Sequence, residues 1–479
     1  MFLPIAFACA TGQKSFGVDA EQTPLLIETS YADSVKPAPE QKSNTKKTDK
    51  KKTGVTKTVS VSALDAVKLA GRLVEVGDYK HAQDILIKMP QTNSLPVELE
   101  RWYLLAQIEQ KKGNVDEAIR IYRKILDDQP DLVKIRYELA ICYMMKHQWY
   151  RADYNLRLAM AGKNIPDDIK KRMMYLRYVA RQNKNWNVWF NVGAAPDTNV
   201  NQATGGKECV ITSWGEFCRD LPEPEQVIGT NLTLGGNYEF KLSEHHWRWK
   251  SDATLYTNIY NKHKYDDLYL SASTGPRYIW EKGDVWLAGI LNRRWYGWDR
   301  YSWAYGAKLD TNYDFTRKLS GGISLRALEN NYDEYGVYMD GMQYSLNPHI
   351  SYSFGPSMYA VLRGGLERET AKMDAYANWR YSTSVGFGAE LMYGFRVYIE
   401  PYFAWLNYDG EKWVVKDSVY QPIKESDFMQ RYSLSVSNNK LEVWGFVPTI
   451  TCSYTKKDSN IHSREYEKWT AEFTFQQRF

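Results

Sequence analysis

The sequence has 479 residues and no apolar run long enough to cross a membrane as a helix. A spanning helix needs about 20 consecutive apolar residues, so a helical membrane protein is excluded. The same absence is compatible with a membrane β-barrel, whose strands alternate lipid-facing and lumen-facing residues and are polar on average. Aromatic residues are abundant, with 36 Tyr and 17 Trp. Membrane barrels use such residues in girdles at both membrane surfaces.

Cysteine and histidine are scarce, and neither forms a catalytic or metal-binding pattern. The five Cys, at positions 9, 142, 209, 218 and 452, contain no Cys-x-x-Cys pair. None of the seven His lies in a His-Glu-x-x-His motif, and no Gly-x-Ser-x-Gly segment occurs. We therefore expect no metal, no cofactor and no enzyme activity. A barrel protease or lipase, with a site assembled from distant loops, stays open as an alternative.

Positive charge in excess is confined to one segment. The net charge is +5, but residues 41–57 alone carry seven Lys against one Asp. The remainder is therefore close to neutral, which argues against a nucleic-acid partner. We interpret residues 20–60 as a disordered, Lys-rich linker.

The first ten residues are apolar and end in Ala8-Cys9-Ala10, a pattern that signal peptidase cleaves. A basic segment before the apolar run is missing. We therefore interpret residues 1–19 as an atypical or truncated signal leader and expect export. Lipidation at Cys9 is the less favoured alternative, because the preceding residues fit a lipobox poorly.

Residues 61–184 show helical spacing and an internal repeat. The segment that begins at Gly77 resembles those that begin at Gly113 and His147, and Ala118 and Ala152 are 34 residues apart, the tetratricopeptide period. We predict three helix pairs and a closing helix from about Pro166 to Gln182, forming a solenoid. Its aromatic residues belong either to the core or to a groove that binds a partner; the candidates are Trp102, Tyr103, Tyr137 and Trp149.

From residue 185 to 479 the period changes from helical to alternating. Between Tyr305 and Phe315, odd-numbered positions are mainly apolar and even-numbered positions such as Lys308 are polar. This pattern predicts fourteen strands, with starts near Trp186, Ile228, Trp247, Leu268, Val285, Ala304, Ile323, Met342, Met358, Asn378, Phe395, Phe428, Phe446 and Glu467. Short connections alternate with long ones, notably residues 196–226 and 409–427. The predicted fold is a helical solenoid followed by a fourteen-stranded antiparallel transmembrane β-barrel.

The last strand carries aromatic residues on one face and ends the sequence. These residues are Phe473, Phe475 and Phe479. A terminal aromatic after alternating apolar residues resembles the signal that the barrel-assembly machinery recognises in outer-membrane proteins. Gln477 interrupts that face.

One segment after the first strand adds a family resemblance. The string Pro196-Asp197-Thr198-Asn199-Val200-Asn201, placed directly after tetratricopeptide repeats, resembles the surface lipoprotein assembly modulator (Slam) family and its outer-membrane relatives. The candidate site residues in it are Pro196, Asp197, Asn199 and Asn201. They either cap turns through their own backbone or form a polar feature that opens the barrel or grips a client strand.

The resemblance implies an outer-membrane translocator of Gram-negative bacteria with its repeats in the periplasm. The implied clients are surface lipoproteins or secreted haem- or iron-binding proteins. The other expected partners are periplasmic chaperones, the barrel-assembly machinery and outer-membrane lipid, and the barrel is expected to be monomeric. The main alternative is a polysaccharide exporter, since such exporters also join tetratricopeptide repeats to a barrel.

Two cysteines lie nine residues apart in the first long loop. If this loop is outside the cell, it is in an oxidising location, so we predict a disulfide between Cys209 and Cys218. We expect Cys142 and Cys452 to be unpaired. The aromatic residues Trp214 and Phe217 in this loop either contact membrane or client at the rim or pack in the barrel mouth.

Overall fold

The computed structural model describes residues 62–90, 92–243 and 246–477. In this part of the chain, seven helices precede a closed, antiparallel barrel of fourteen strands, which confirms the predicted fold class. The leader at 1–19, the linker at 20–60 and Phe479 lie outside the described residues. No described helix combines the length and the apolar character needed to cross a membrane.

The helices follow one another as three pairs and a closing helix, as predicted. They are α1 (Ala63–Glu75), α2 (Tyr79–Lys88), α3 (Leu95–Lys111), α4 (Val115–Asp128), α5 (Val133–Met145), α6 (Trp149–Met160) and α7 (Asp167–Gln182). The turn inside each pair contains a residue with positive φ: Gly77 at 83°, Gly113 at 88° and His147 at 56°. Glycine suits this left-handed conformation, so the repeat motif marks the turns of the helix pairs.

The chain divides into two compact units, one from Ser62 to Ile125 among the described residues and one from Leu126 onward. The division falls within α4, whereas the sequence analysis placed the domain boundary between residues 184 and 185. Helices α5–α7 therefore belong to the same unit as the barrel. In the first unit, the fully buried Ala70, Ala82 and Ala106 let the helices approach closely.

The barrel is closed by pairing of its first and last strands. Its strands are β1 (Trp186–Asp197), β4 (Val227–Lys241), β5 (Trp247–Tyr260), β6 (Asp267–Trp280), β7 (Gly283–Tyr296), β8 (Asp299–Asp314), β9 (Leu319–Tyr332), β10 (Gly341–Ser353), β11 (Met358–Glu369), β12 (Asn378–Glu390), β13 (Phe395–Lys416), β14 (Val419–Asn438), β15 (Phe446–Ser459) and β16 (Tyr466–Gln477). Each strand pairs with its neighbours along the chain, and β1 pairs with both β4 and β16. The strands β2 (Lys207–Thr212) and β3 (Gly215–Asp220) form a separate hairpin in the first long loop.

Three strands begin four or more residues earlier than predicted, at 299, 319 and 419 instead of 304, 323 and 428. The largest difference arises because β13 and β14 continue as a paired hairpin, as far as Lys416 opposite Val419. Residues 409–427, predicted as a long loop, are therefore mostly strand. Asp417 and Ser418 make the turn, with φ of 51° and 61°, as two-residue hairpins require. Strands that extend beyond the lipid need no apolar face, so the pattern used to find them is absent there.

The two faces of the barrel strands differ as the alternation predicts. On β8 the outward Tyr305 is 41% exposed, whereas the inward Lys308 is 5% exposed. Apolar residues cover the outer surface of the other strands as well; examples are Leu234, Leu287, Leu291, Ile350, Leu362, Val385, Ile399, Leu434 and Ile450. Water-soluble monomers rarely expose so large an apolar surface.

Aromatic pairs mark two levels on this outer surface. Near the short turns lie Tyr313–Phe315, Tyr352–Phe354 and Trp247–Tyr278; toward the opposite end lie Trp303–Tyr305, Trp379–Tyr381, Trp405–Phe428 and Tyr454–Trp469. On β8 the two levels are separated by the segment from Tyr305 to Tyr313, which rises about 20 Å along the barrel axis if strands tilt by about 40°. This spacing is close to the apolar band of membrane barrels, about 25 Å tall.

Candidate functional site

Helices α5–α7 meet the barrel at the end where short turns join its strands. On α5, the side chain of Arg136 donates to Glu390, the last residue of β12, at 2.5 Å, and to the backbone oxygen of Pro130 at 2.9 Å. The phenol of Tyr154 on α6 donates to the same Glu390 at 3.3 Å. The Arg136 side chain is only 3% exposed, so the charge pair is shielded from water.

A second charge cluster joins α6 and α7 to β8. Asp153 accepts from Arg177 at 2.9 Å and from Lys184 at 2.6 Å. Asp314, the last residue of β8, accepts from Arg177 at 2.9 Å and from Arg181 at 2.6 Å. Two carboxylates thus share three cations in a largely buried space.

Electrostatics in this cluster keep Asp153 charged. Burial alone would raise the pKa of its carboxyl, but Lys184, Arg177 and Arg181 outweigh burial and hold the pKa well below its ordinary value. Burial lowers the pKa of the Lys184 amine, and the charge of Asp153 opposes that effect. The three cations therefore hold Asp153 in its charged form.

The third set of contacts reaches β4 and β5. Asn237 on β4 donates to the phenol oxygen of Tyr150 at 2.6 Å. Arg248 on β5, 2% exposed, donates to the side-chain oxygen of Gln182 at 2.6 Å and to its backbone oxygen. The last residue of α7, which precedes β1 closely in the chain, is therefore fixed to the barrel wall.

These contacts lie on opposite sides of the barrel. Seven strand positions separate β5 from β12 in the ring of fourteen, which is half of the circumference. Because α6 and α7 contact β4 and β5, and α5 and α6 contact Glu390 of β12, the helices extend across the mouth of the lumen. Tyr154 also packs against the inward residues Tyr359 and Val361 of β11, which places α6 within the opening.

The predicted aromatic candidates fall into two groups. Tyr103 in the first unit and Tyr137 in the second are buried in helix packing. Trp102 is half-buried under the ammonium group of Lys124, which lies 3.8 Å from its ring centroid. Trp149, at the start of α6, is half-buried beside the ring of His147. The two tyrosines thus have positions typical of core residues.

The residues of the predicted motif after β1 bond to the protein itself. Asp197 accepts from the backbone N–H of Asn199 at 2.9 Å and from Lys468 on β16 at 2.8 Å. Asn199, 2% exposed, bonds to both backbone groups of Ala203 and donates to the carbonyl of Glu467.

Two further motif residues extend this arrangement. Asn201 bridges the backbone of Glu223 and Glu225, at 2.8 Å each. Pro196 pairs with Ile228 of β4, and it lacks the N–H that a ladder bond to β16 would need. The geometry matches the turn-capping interpretation. The motif residues also join the end of β1 to the start of β16, on the side of the long loops.

The first long loop contains a disulfide between Cys209 and Cys218, which face each other in the hairpin of β2 and β3. Cys142 is buried and unpaired, and Cys452 is exposed and unpaired on β15. Trp214, 90% exposed, and Phe217, 60% exposed, project outward; they do not pack in the barrel mouth. The hairpin also donates from the backbone of Ile211 to that of Ser418 in the β13–β14 turn.

The predicted assembly signal is partly described. Phe473 and Phe475 on β16 contact each other with ring centroids 5.3 Å apart, and both are exposed on the outer surface. Their role in assembly remains a prediction.

The charged residues at the mouth escaped sequence reasoning. Arg136 and Glu390 are 254 positions apart, so no local pattern connects them. One usable indication was present: Arg177 and Arg181 are four residues apart and occupy one face of a helix, next to the apolar positions of α7.

The sequence matches two known families. Residues 186–479, which include every barrel strand, match the family described as Surface lipoprotein assembly modifier, and residues 99–142 match the family Tetratricopeptide repeat.

Similar individual proteins carry the same description. The Surface lipoprotein assembly modifier of Pasteurella multocida (strain Pm70) is 23% identical over 394 residues, which cover 78% of this chain and 75% of that protein. Surface lipoprotein assembly modifier 1 of Neisseria meningitidis serogroup B is 27% identical over 401 residues, covering 79% and 75%. Among solved structures, the outer membrane channel DcaP of Acinetobacter baumannii aligns with 61% of this chain and 96% of its own, at 8% identity and a TM-score of 0.35.

Proposed function

Because the chain belongs to the Surface lipoprotein assembly modifier family, we propose that it is an outer-membrane protein that delivers lipoproteins to the cell surface. The observation that carries this proposal is the family match over residues 186–479, which covers the whole barrel. The matched relatives carry the same description over about three quarters of their own lengths, at 75% for both of those described above.

The barrel supports the membrane part of the proposal. It presents an apolar outer surface between two levels of aromatic residues, while charged residues such as Lys308 face inward. In bacterial outer-membrane barrels the short turns face the periplasm and the long loops face outward. Helices α5–α7 lie at the short-turn end, so we place them in the periplasm.

The proposed delivery needs no bond making or breaking. We propose a binding and transport function without catalysis or a cofactor. Directed passage then depends on the client, on the lumen and on the contacts at its mouth. The protein is proposed to act as a monomeric barrel, inserted by the barrel-assembly machinery and supplied with clients by periplasmic chaperones. Secreted or lipidated haem- and iron-binding proteins are the proposed client class.

Surface labelling tests this function. A surface lipoprotein is co-expressed with the full chain, with an empty vector, or with an unrelated barrel at equal membrane abundance. The expected result is lipoprotein accessible to antibody and to added protease only when the chain is present. Comparison of a haem-binding lipoprotein with one that binds no haem or iron tests the proposed client class.

Two outcomes would contradict the proposal. Equal surface lipoprotein with and without the chain would remove delivery as its function. A change in surface polysaccharide, with lipoprotein display unaltered, would instead support the exporter alternative.

A further inference from the structure

We propose that α5–α7 form a plug that closes the periplasmic mouth of the barrel at rest, and that this plug pivots about residues 183–185 to admit a client. The inference rests on the proposed function for the identity of the client. The closure itself is a property of the barrel and can be measured without a client.

The position of the helices supports closure. Their contacts reach Glu390 of β12 on one side of the ring and Arg248 of β5 on the opposite side. Tyr154 enters the opening and packs on Tyr359 of the inner wall. A group of helices attached on opposite sides of an opening obstructs the passage between them.

The chemistry of the contacts supports reversible closure. The plug is held by shielded charge pairs, with Arg136 and Glu390 exposed by 3% and 12%, and Arg181 and Asp314 by 10% and 18%. A buried charge pair gains little over the hydrated separated charges, because the desolvation penalty offsets the attraction. Separation of such an interface in water therefore costs less free energy than separation of an apolar interface of similar size.

The connectivity selects the side that opens. Helix α7 ends at Gln182 and β1 begins at Trp186, so three residues tether the plug to the wall. Gln182 is held by Arg248, and the carbonyl of Asn185 accepts from the backbone of Glu239 at 2.6 Å. The contact between Arg136 and Glu390 lies far from this tether, so it is the contact that must break first.

Ion conductance of the purified full-length protein in planar lipid bilayers tests closure. The wild type is expected to conduct rarely. Glu390→Gln removes the barrel carboxylate to which the buried Arg136 donates, and the open fraction should rise about 100-fold or more, given the usual effect of breaking one partner of a buried pair. The double variant Arg136→Met/Glu390→Gln removes both charges and should be less open than Glu390→Gln.

The double variant separates release of the plug from general damage. A barrel that leaks because its wall is disturbed would leak more with two substitutions than with one. Lys440→Gln is the matched control: Lys440 pairs with Asp128 at 2.6 Å at the same end, but the two side chains are 44% and 39% exposed. Its conductance should equal that of the wild type. Frequent conductance by the wild type, or no increase in folded Glu390→Gln protein, would overturn the plug.

Cross-linking tests the movement independently of conductance changes caused by lost charge. In a chain whose other unpaired cysteines are replaced, Arg136→Cys/Glu390→Cys should conduct more often than the wild type, because the charge pair that holds the plug is absent, until a short bismaleimide joins the two thiols and closes it. Treatment with N-ethylmaleimide should leave it open. In cells, the cross-linked protein should fail to display lipoprotein that the N-ethylmaleimide-treated protein displays. Equal display by both would overturn the required movement, whereas absence of display with untreated wild-type protein would count against the proposed function instead.

Discussion

The two ends of the barrel both contain shielded charge pairs, but different elements supply them. At the short-turn end, shielded charges on α5–α7 meet shielded charges at the ends of strands, as between Arg181 and Asp314. At the long-loop end, neighbouring strands supply shielded pairs, as between Lys457 on β15 and Asp427 on β14, at 3% and 2% exposed. Exposed pairs, such as Glu225 with Lys264, and a disulfide supply further order there. Buried charge pairs respond strongly to loss of one partner, whereas exposed ones respond weakly. Single substitutions should therefore have their largest effect at the shielded pairs, such as those that hold α5–α7.

The largest effect is expected for Asp153→Ala. This change leaves Lys184 without its carboxylate and Arg177 with only one, in a space from which water is largely excluded. Loss of one partner in a buried network costs about 3–5 kcal/mol, so we expect faster hydrogen–deuterium exchange throughout α7. Asp167→Ala is the control on the same helix, because the Asp167 side chain is 85% exposed. Equal exchange in both variants would show that the buried cluster does not stabilise α7.

The next effect concerns the disulfide hairpin at the opposite end. In Cys209→Ser/Cys218→Ser we expect the free energy needed to open the hairpin to fall by about 2–3 kcal/mol, because the cross-link no longer constrains this short loop. Trypsin should then cleave after Arg219, while heat-modifiable migration of the barrel stays unchanged. Cys452→Ser is the control. Protection from trypsin equal to that of the wild type would mean that backbone pairing alone holds the hairpin.

A smaller effect is expected at the junction of β1 and β16. Asn199→Ala leaves both backbone groups of the buried Ala203, and the carbonyl of Glu467, without their side-chain partner, at a cost of about 1–3 kcal/mol. The unfolding temperature in detergent should fall, and it should fall less in Asn201→Ala because Asn201 is only half-buried. A larger effect at Asn201 would contradict the assignment of Asn199 as the main junction residue.

The smallest effect is expected from acid at Glu225. Hydrogen bonds from Lys262, Lys264 and Tyr265 lower the pKa of the Glu225 carboxyl from 4.5 to about 2. A lowered pKa in the folded state contributes stability above the ordinary value, and that contribution is lost as the pH falls toward 2. Protease protection of the loop at residues 221–226 should therefore be constant from pH 8 to 5 and decline only below about pH 4.5. Glu225→Gln should remove the pH dependence, and a decline already complete at pH 5 would contradict the lowered pKa.

Much of the fold followed from local pattern. The alternation around Tyr305 and Lys308 located a strand and assigned its faces, because a strand in a membrane barrel separates lipid from water. Gly77 and Gly113 located helix turns because few other residues adopt positive φ there. The early start of β14 at Val419 escaped the same reasoning, since that part of the hairpin is paired but does not line the lipid.

The candidate site followed from sequence only in part. The motif at Asp197 and Asn199 was found as a string, but its strand partner at the barrel junction was not. Arg136 and Glu390 were not singled out at all, because a charged residue is usually a solvated one. Only their burial against each other in the folded structure indicates that they form a contact at the barrel mouth.

The sequence by itself determined the class of each segment: helix pairs from the tetratricopeptide period, and membrane strands from the period of two. These are local properties, since side-chain direction repeats within a few residues along any helix or strand. Only the tertiary structure decided that α5–α7 belong with the barrel and cross its mouth. That arrangement depends on closure of the strand ring, which brings the ends of β5, β8 and β12 around the same opening although their positions in the chain are far apart.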